Sequence, residues 1–137
     1  MIALIDTNVV LDYFLEREDF VKSASDCLEW LFVNKARVYL TAGTITDIYY
    51  LARRQVKSTS AAKEIIAKVL NTFRIVSVDG TDCIKALETE IDDYEDAVLA
   101  ICAKKIKAES IITRNVKDFT ASPIKAITPD EFQKLNG

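Results

Sequence analysis

Histidine is missing from all 137 residues, and glycine and proline occur only three and two times. Without histidine there is no Ser–His or Cys–His nucleophile pair, no imidazole acid–base catalyst and no imidazole metal ligand. Polar chemistry must then come from carboxylates, lysines, hydroxyls or a bound metal. The shortage of glycine excludes a glycine-rich phosphate loop. The three cysteines, Cys27, Cys83 and Cys102, stand far apart with no paired spacing. That argues against a disulfide framework or a zinc site and reads as small buried thiols of a cytoplasmic protein. No apolar run approaches the length of a membrane span, and Asp6 interrupts the one apolar segment near the start, so neither a membrane protein nor a signal peptide is expected. A net charge of −3 does not advertise a nucleic-acid binder, so any basic surface has to be local.

What is present reads as one domain over residues 1–137, with 50% hydrophobic and 28% charged residues. Ile2-Ala3-Leu4-Ile5 is a short continuous apolar run that ends in a carboxylate, Asp6, as a buried parallel strand does at its turn. Further strands are predicted at 38–40, 74–78, 110–113 and 124–127, and helices at about 7–15, 20–34, 45–56, 58–73, 81–90 and 93–107. Residues 97–103 are apolar throughout, so the helix that holds them should be buried on nearly all sides. Thr128-Pro129-Asp130-Glu131 opens a last helix with a threonine cap, proline in the first turn and glutamate three residues on. Strand and helix alternate, which predicts a three-layer α/β/α fold around a parallel sheet of about five strands.

Four places set acids or amides where a strand ends or a helix begins. They are Asp6, Asp47 early in the third helix, Asp93 and Asp96 at the start of the apolar helix, and Thr113-Arg114-Asn115 with Asp118 after the fourth strand. Each has a plain local explanation. Asp6 caps a helix, Thr44-x-x-Asp47 is close to a capping box, Asp93 and Asp96 complement a helix dipole, and Asn115 and Asp118 are turn residues. Together they point further, because parallel topology brings strand ends and helix starts to one edge. Two like charges about 4 Å apart repel by roughly 4 kcal/mol at an effective dielectric near 20, so such a cluster needs a cation or takes up protons. Hard oxygen donors suit Mg²⁺, with Mn²⁺ able to substitute, and such a site activates water for in-line attack on a phosphodiester.

At these residues the chain resembles the PIN domain, the metal-dependent ribonuclease fold of VapC-like toxins. The resemblance is carried by Leu4-Ile5-Asp6-Thr7-Asn8, the helix start from Thr44 to Asp47, Asp93-Tyr94-Glu95-Asp96-Ala97, Ile112-Thr113-Arg114-Asn115 with Lys117-Asp118-Phe119, and Thr128-Pro129-Asp130-Glu131-Phe132. The run from Thr113 to Phe119 is most similar to a bacterial subgroup of toxin components. The resemblance implies an endoribonuclease paired with an antitoxin protein, with RNA as substrate and a homodimer as the assembly. It makes Asp6 and Asp96 the principal metal ligands and adds Asp47 and Asn115 to the catalytic set. Many members carry glutamate at the position of Asp47 and aspartate at that of Asn115, so the second metal position depends on Asp118 or Asp93. Asn8 and Thr113 are expected to orient ligands or water by hydrogen bonds. Arg114 is expected to contact phosphate, and Arg53, Arg54 and Lys57 form a local basic patch for RNA.

Other readings remain open on the residues alone. A haloacid-dehalogenase-like phosphatase also uses an aspartate after its first strand, but needs a second two residues on, where Asn8 stands. A phosphotransfer receiver needs an acceptor at the end of its third strand, and Asp79-Gly80 fits that spacing poorly. A weakly active or inactive module that binds RNA or protein is the non-enzymatic alternative. Trp30, Phe32 and Tyr50 fall outside the apolar stripes and are the residues on which a homodimer contact is expected.

Overall fold

The computed structural model describes residues 1–137. In chain order the elements are β1 (Ile2–Ile5), α1 (Thr7–Phe14), α2 (Val21–Val33), β2 (Arg37–Thr41), α3 (Ala42–Val56), α4 (Thr59–Thr72), β3 (Arg74–Val76), α5 (Gly80–Leu87), α6 (Tyr94–Lys105), β4 (Ser110–Ile112), a 3-10 turn (Val116–Phe119), β5 (Ala126–Ile127) and α7 (Pro129–Asn136). Helices come in pairs between the first four strands rather than singly. The five strands pair in parallel in the order β3-β2-β1-β4-β5.

The sheet separates two apolar halves by strand alternation. Ala3, Ile5, Val38, Leu40, Ile112 and Ile127 pack with α1 to α4 and α7 on one face. Leu4, Ile111 and Ala126 pack with α5 and α6 on the other, where Ile2 and Tyr39 also lie. Each fully buried Leu, Ile or Val contributes about 1.5–3 kcal/mol. In α6, Ala97, Leu99, Ala100, Cys102 and Ala103 are buried, so this helix is enclosed as its composition predicts. Trp30 packs edge-on against Phe132 of α7 at 5.3 Å, and Phe32 lies 5.9 Å from Phe73. All three aromatics assigned to a subunit contact thus have an aromatic neighbour within the chain, Tyr50 meeting Tyr49 at 5.2 Å, while Tyr50 itself is 65% exposed.

Topology fixes where the functional edge lies. From β1 the chain moves one way to β2 and β3, then returns to the other side of β1 to form β4. Between β1 and β4 the direction of winding reverses, and in open parallel sheets the crevice beyond the strands' carboxyl ends at such a point is where ligands bind. Asp6 leaves β1 there, and Thr113 leaves β4. The ladder continues one step past both strands, with Asp6 N–H donating to Ile112 O at 2.9 Å and Thr113 N–H to Ile127 O at 3.0 Å. By alternation both residues fall on the face of Leu4 and Ile111, the side covered by α6.

Several helix ends differ from the sequence expectation, α5 closing at Leu87 and α6 at Lys105, and the difference that bears on the site is the start of α3. α3 begins at Ala42, not Ile45, and its cap is Thr41, whose Oγ1 accepts from Thr44 N–H at 3.1 Å and lies 3.0 Å from the Thr44 hydroxyl. Thr44 is therefore buried inside the first turn rather than capping it, and Asp47 belongs to the second turn. The α7 capping box forms as predicted, with Glu131 N–H on Thr128 Oγ1 at 3.1 Å and Thr128 N–H on Glu131 Oε1 at 3.4 Å. Helices α2 and α6 end in the left-handed conformation on lysines rather than glycines, Lys35 (φ 56°) and Lys107 (φ 58°). In each case the lysine's own N–H and that of the alanine after it close back on the last turn in a Schellman pattern, at 3.0 and 2.9 Å.

A candidate acidic metal centre

Asp6 serves two roles at once. Its Oδ1 accepts from Thr7 N–H at 2.8 Å and so caps α1. Its Oδ2 accepts the Thr113 hydroxyl at 2.8 Å and the Asn8 amide at 3.2 Å. Asn8 Oδ1 accepts Arg114 N–H at 3.1 Å, and Thr113 Oγ1 accepts Asn115 N–H at 3.0 Å. The turns leaving β1 and β4 are thereby locked together around one buried carboxylate. Burial pushes the Asp6 carboxyl above its ordinary range, the hydrogen bonds from Thr113, Thr7 and Asn8 draw it back down, and the charge of Asp118 raises it further.

The other acids arrive from helix starts. Asp93 caps α6, its Oδ1 accepting Asp96 N–H at 2.9 Å, a more specific role than the dipole complement read from the sequence, and this leaves its second oxygen free. Asp96 follows in the first turn. An open pocket of about 510 Å³ gathers Asp6, Asn8, Asp47, Asp93, Asp96, Asn115 and Asp118, with Glu95, Arg17, Arg54 and Tyr50 among its further walls. Another cavity of about 540 Å³ lies against α5 and α6 and contains none of the strand-end residues.

Charge crowding marks the first pocket. Burial, then the charges of Asp6, Asp93 and Asp118, push the Asp96 carboxyl to about 7. Glu95 also rises to about 7, first through a hydrogen bond with Asp47, then through burial and the charges of Asp47, Asp93 and Asp6. A carboxyl can donate to another carboxylate only when protonated, so the crowding around Glu95 favours its protonated form. The acids are close enough to raise one another, yet no three of them stand at the spacing of a finished metal cage. By chemistry the donors still fit a hard divalent cation: all are oxygens, the site is short of positive charge, and it is open to solvent.

The expected residues do not all come together. Thr113 is fully buried behind Asp6 and touches the pocket only through it. Arg114 does not face the acids. Its Nε donates to Asp12 Oδ2 at 2.7 Å and its second guanidinium nitrogen to Asp12 Oδ1 at 3.3 Å, while its face stacks 3.9 Å above the Phe20 ring. A phosphate contact by its side chain is therefore corrected: a buried carboxylate outcompetes the pocket for the guanidinium. Of the basic patch, Arg54 lines the pocket, whereas Arg53 Nε donates to Thr59 Oγ1 at 3.2 Å, tying α3 to α4, and Lys57 closes α3 in the left-handed conformation. Glu95, Arg17 and Asp12 received no role from the sequence. Glu95 carried a signal, as the neighbour of Asp96 in the same helix start; the partnership of Asp12 with Arg114 spans 102 positions and carried none.

Comparison with known proteins bears on the family and the fold. The PIN domain sequence profile matches residues 3–117. Ribonuclease VapC1 of Aquifex aeolicus (strain VF5) is 28% identical over 135 residues, covering 95% of this chain and 92% of that protein. VapBC2 from Rickettsia felis, solved bound to a DNA fragment from their promoter, is similar with a TM-score of 0.74 at 18% identity, covering 93% of this chain and 98% of that one. A toxin–antitoxin complex from Klebsiella pneumoniae gives a TM-score of 0.69 at 24% identity, covering 93% of this chain and 97% of that one.

Proposed function

The chain belongs to the PIN domain family, and from that premise we propose that it is a divalent-cation-dependent endoribonuclease, the toxin of a toxin–antitoxin pair. The observation that carries the reading is the convergence of Asp6, Asp47, Asp93, Glu95, Asp96 and Asp118 on one open pocket at the reversal point of the sheet, in a chain without histidine. The similarity to a protein named as a ribonuclease supports the reaction, and the fold shared with toxin–antitoxin complexes supports an antitoxin partner. No helix is long and apolar enough to cross a membrane. An RNA substrate and three cysteines free of disulfides fit a cytoplasmic protein.

Asp6 and Asp96 would hold the cation, Mg²⁺ with Mn²⁺ able to substitute, with Asp93 or Asp118 as further donors. When bound, the cation supplies charge to the phosphodiester oxygens and acidifies water. The chain's own contributions follow from the geometry. Thr113 and Asn8 fix the Asp6 carboxylate in one orientation, which removes the reorganisation a free side chain would undergo. Glu95, raised to about 7 beside Asp47, can accept the proton of an attacking water or return one to the leaving oxygen. Asn115 offers an amide at the wall where many relatives carry a carboxylate, and Asp118 restores the missing charge to the lining.

Attack by water with the 3′-oxygen as leaving group leaves a 5′-phosphate and a 3′-hydroxyl, and no cyclic phosphate, because the 2′-hydroxyl takes no part. Loops and single strands are the preferred target, since A-form duplex hides its base edges. The test is to incubate the protein with loop-containing RNA and Mn²⁺ and to map the end groups. Cleavage with 5′-phosphate ends, lost in chelator and in Asp6→Asn, supports the reading. Cyclic-phosphate ends, or full activity in chelator, overturn it. RNA binding that persists in Asp6→Asn without any cleavage by the unmodified protein favours the inactive binding module.

A further inference from the structure

An acidic pocket repels the phosphate backbone of its own substrate, so some cation beside it must engage that backbone. Arg114 is withdrawn onto Asp12, and the lining of the pocket contains two cations, Arg17 and Arg54. The Arg54 side chain forms no hydrogen bond or ion pair within the chain. Arg17 is held by a built arrangement. Asp12 is 1% exposed, and its Oδ2 is taken by Arg114 Nε at 2.7 Å. Its Oδ1 lies 3.3 Å from the second guanidinium nitrogen of Arg114 and 3.4 Å from one terminal nitrogen of Arg17. The backbone repeats the tie, with Arg17 N–H donating to Asp12 O at 3.1 Å.

One carboxylate thus serves two guanidinium groups, and the trio keeps one positive charge. Arg114 cannot present that charge, because its fork is spent on Asp12 and its face is covered by Phe20. Arg17 can, since Asp12 engages one of its terminal nitrogens and its remaining donors stand at the pocket wall. An arginine anchored through one nitrogen has lost much of its rotamer freedom before substrate arrives, which lowers the entropic cost of the contact.

Resting on the ribonuclease reading above, we propose that Arg17 contacts an RNA phosphate beside the acidic pocket, and that Asp12, clamped by Arg114, is the positioning residue that holds it there.

Binding of a fluorescein-labelled single-stranded RNA, followed by anisotropy in chelator across a salt series, tests the contact without cleavage. Arg17→Gln should reduce the salt slope by about 0.7, the share of one phosphate contact on a single strand, and Arg17→Lys should keep it. In cleavage, Arg17→Gln should raise KM about tenfold with kcat nearly unchanged, as loss of uniform binding does. Adding Asp12→Asn to Arg17→Gln should weaken RNA binding no further, whereas a merely structural Asp12 would add a second loss. Footprinting of the unmodified chain with phenylglyoxal needs no variant to fold: Arg17 should react when free and be protected by RNA, while Arg114, turned away from the pocket onto Asp12, should react equally in both states. An unchanged slope and KM, or equal modification of Arg17 with and without RNA, overturns the proposal. RNA binding without cleavage overturns the proposed reaction alone, and no binding by the unmodified chain overturns both.

Discussion

Asp96→Asn should make the cation-free protein more stable at alkaline pH, although it removes a residue of the candidate centre. The Asp96 carboxyl sits at about 7 in the folded chain against an ordinary value of 3.8. An acid whose pKa is raised by folding binds more protons in the native state than in the unfolded state between those two values. Stability is then greatest below the unfolded pKa, declines as pH climbs toward 7 and levels off above it. Three units correspond to about 4 kcal/mol for a fully desolvated group, and because Asp96 is only half-buried, solvent screening reduces the expected penalty to about 1–2 kcal/mol. Glu95, raised to about 7 as well, slopes the same way. In chelator the melting temperature should therefore fall as pH rises from about 5 to about 8, the reverse of ordinary acid denaturation. Asp96→Asn should flatten that slope and melt higher than the parent at the upper end. Saturating Mg²⁺ should have the opposite effect on the parent: at 100 times the dissociation constant it adds about 2.7 kcal/mol, several degrees for a chain of this size. Asp96→Asn should lose most of that gain. Thermal melts of both proteins, with chelator and with Mg²⁺ across the pH series, settle the matter. If Asp96→Asn is less stable than the parent in chelator at pH about 8, or if the parent shows no pH slope and no response to the cation, the charge-crowding argument is refuted.

Thr113→Val should cost about 1–3 kcal/mol in urea denaturation, because the buried Asp6 carboxylate and the Asn115 N–H both lose the Thr113 hydroxyl; a cost below that range would show that water replaces it. Lys107→Gly should stabilise the chain by about 1 kcal/mol, since it relieves a left-handed backbone at an exposed helix end whose hydrogen bonds stay intact; an unchanged or lower denaturation midpoint refutes it. Light scattering at micromolar concentration should report the homodimer that the family resemblance implies. Its contact cannot centre on Trp30, which packs against Phe132, and a monomer removes it.

Local chemistry made much of the molecule legible. An apolar run that ends in a carboxylate is a buried strand meeting polar solvent, and Asp6 stands where that reading puts it. Thr128, Pro129 and Glu131 satisfy the first N–H groups of a helix with side chains three residues apart, so the start of α7 needed no tertiary information. The uninterrupted apolar stretch of α6 demanded enclosure, and the alternation of elements demanded a parallel sheet, whose carboxyl edge then had to collect the acids. Even the spread of charge along α6, acids first and lysines last, was a local consequence of the helix dipole.

What distant groups compete for lay beyond reach. Whether Thr41 or Thr44 caps α3 depended on where β2 stops in the sheet, because both satisfy the same local rule and the fold buries both. Arg114 follows Thr113 directly, so adjacency placed it at the acids; Asp12, 102 positions earlier and nine-tenths buried or more, took the guanidinium at the shorter of its two ion pairs and drew it away. The same ion pair left Arg17 at the pocket wall. Sequence thus determined which residues reach the functional edge, since strand ends and helix starts are local features. Tertiary structure alone decided which charges meet there, because a buried carboxylate takes the guanidinium that the packed chain brings to it, whatever its distance along the sequence.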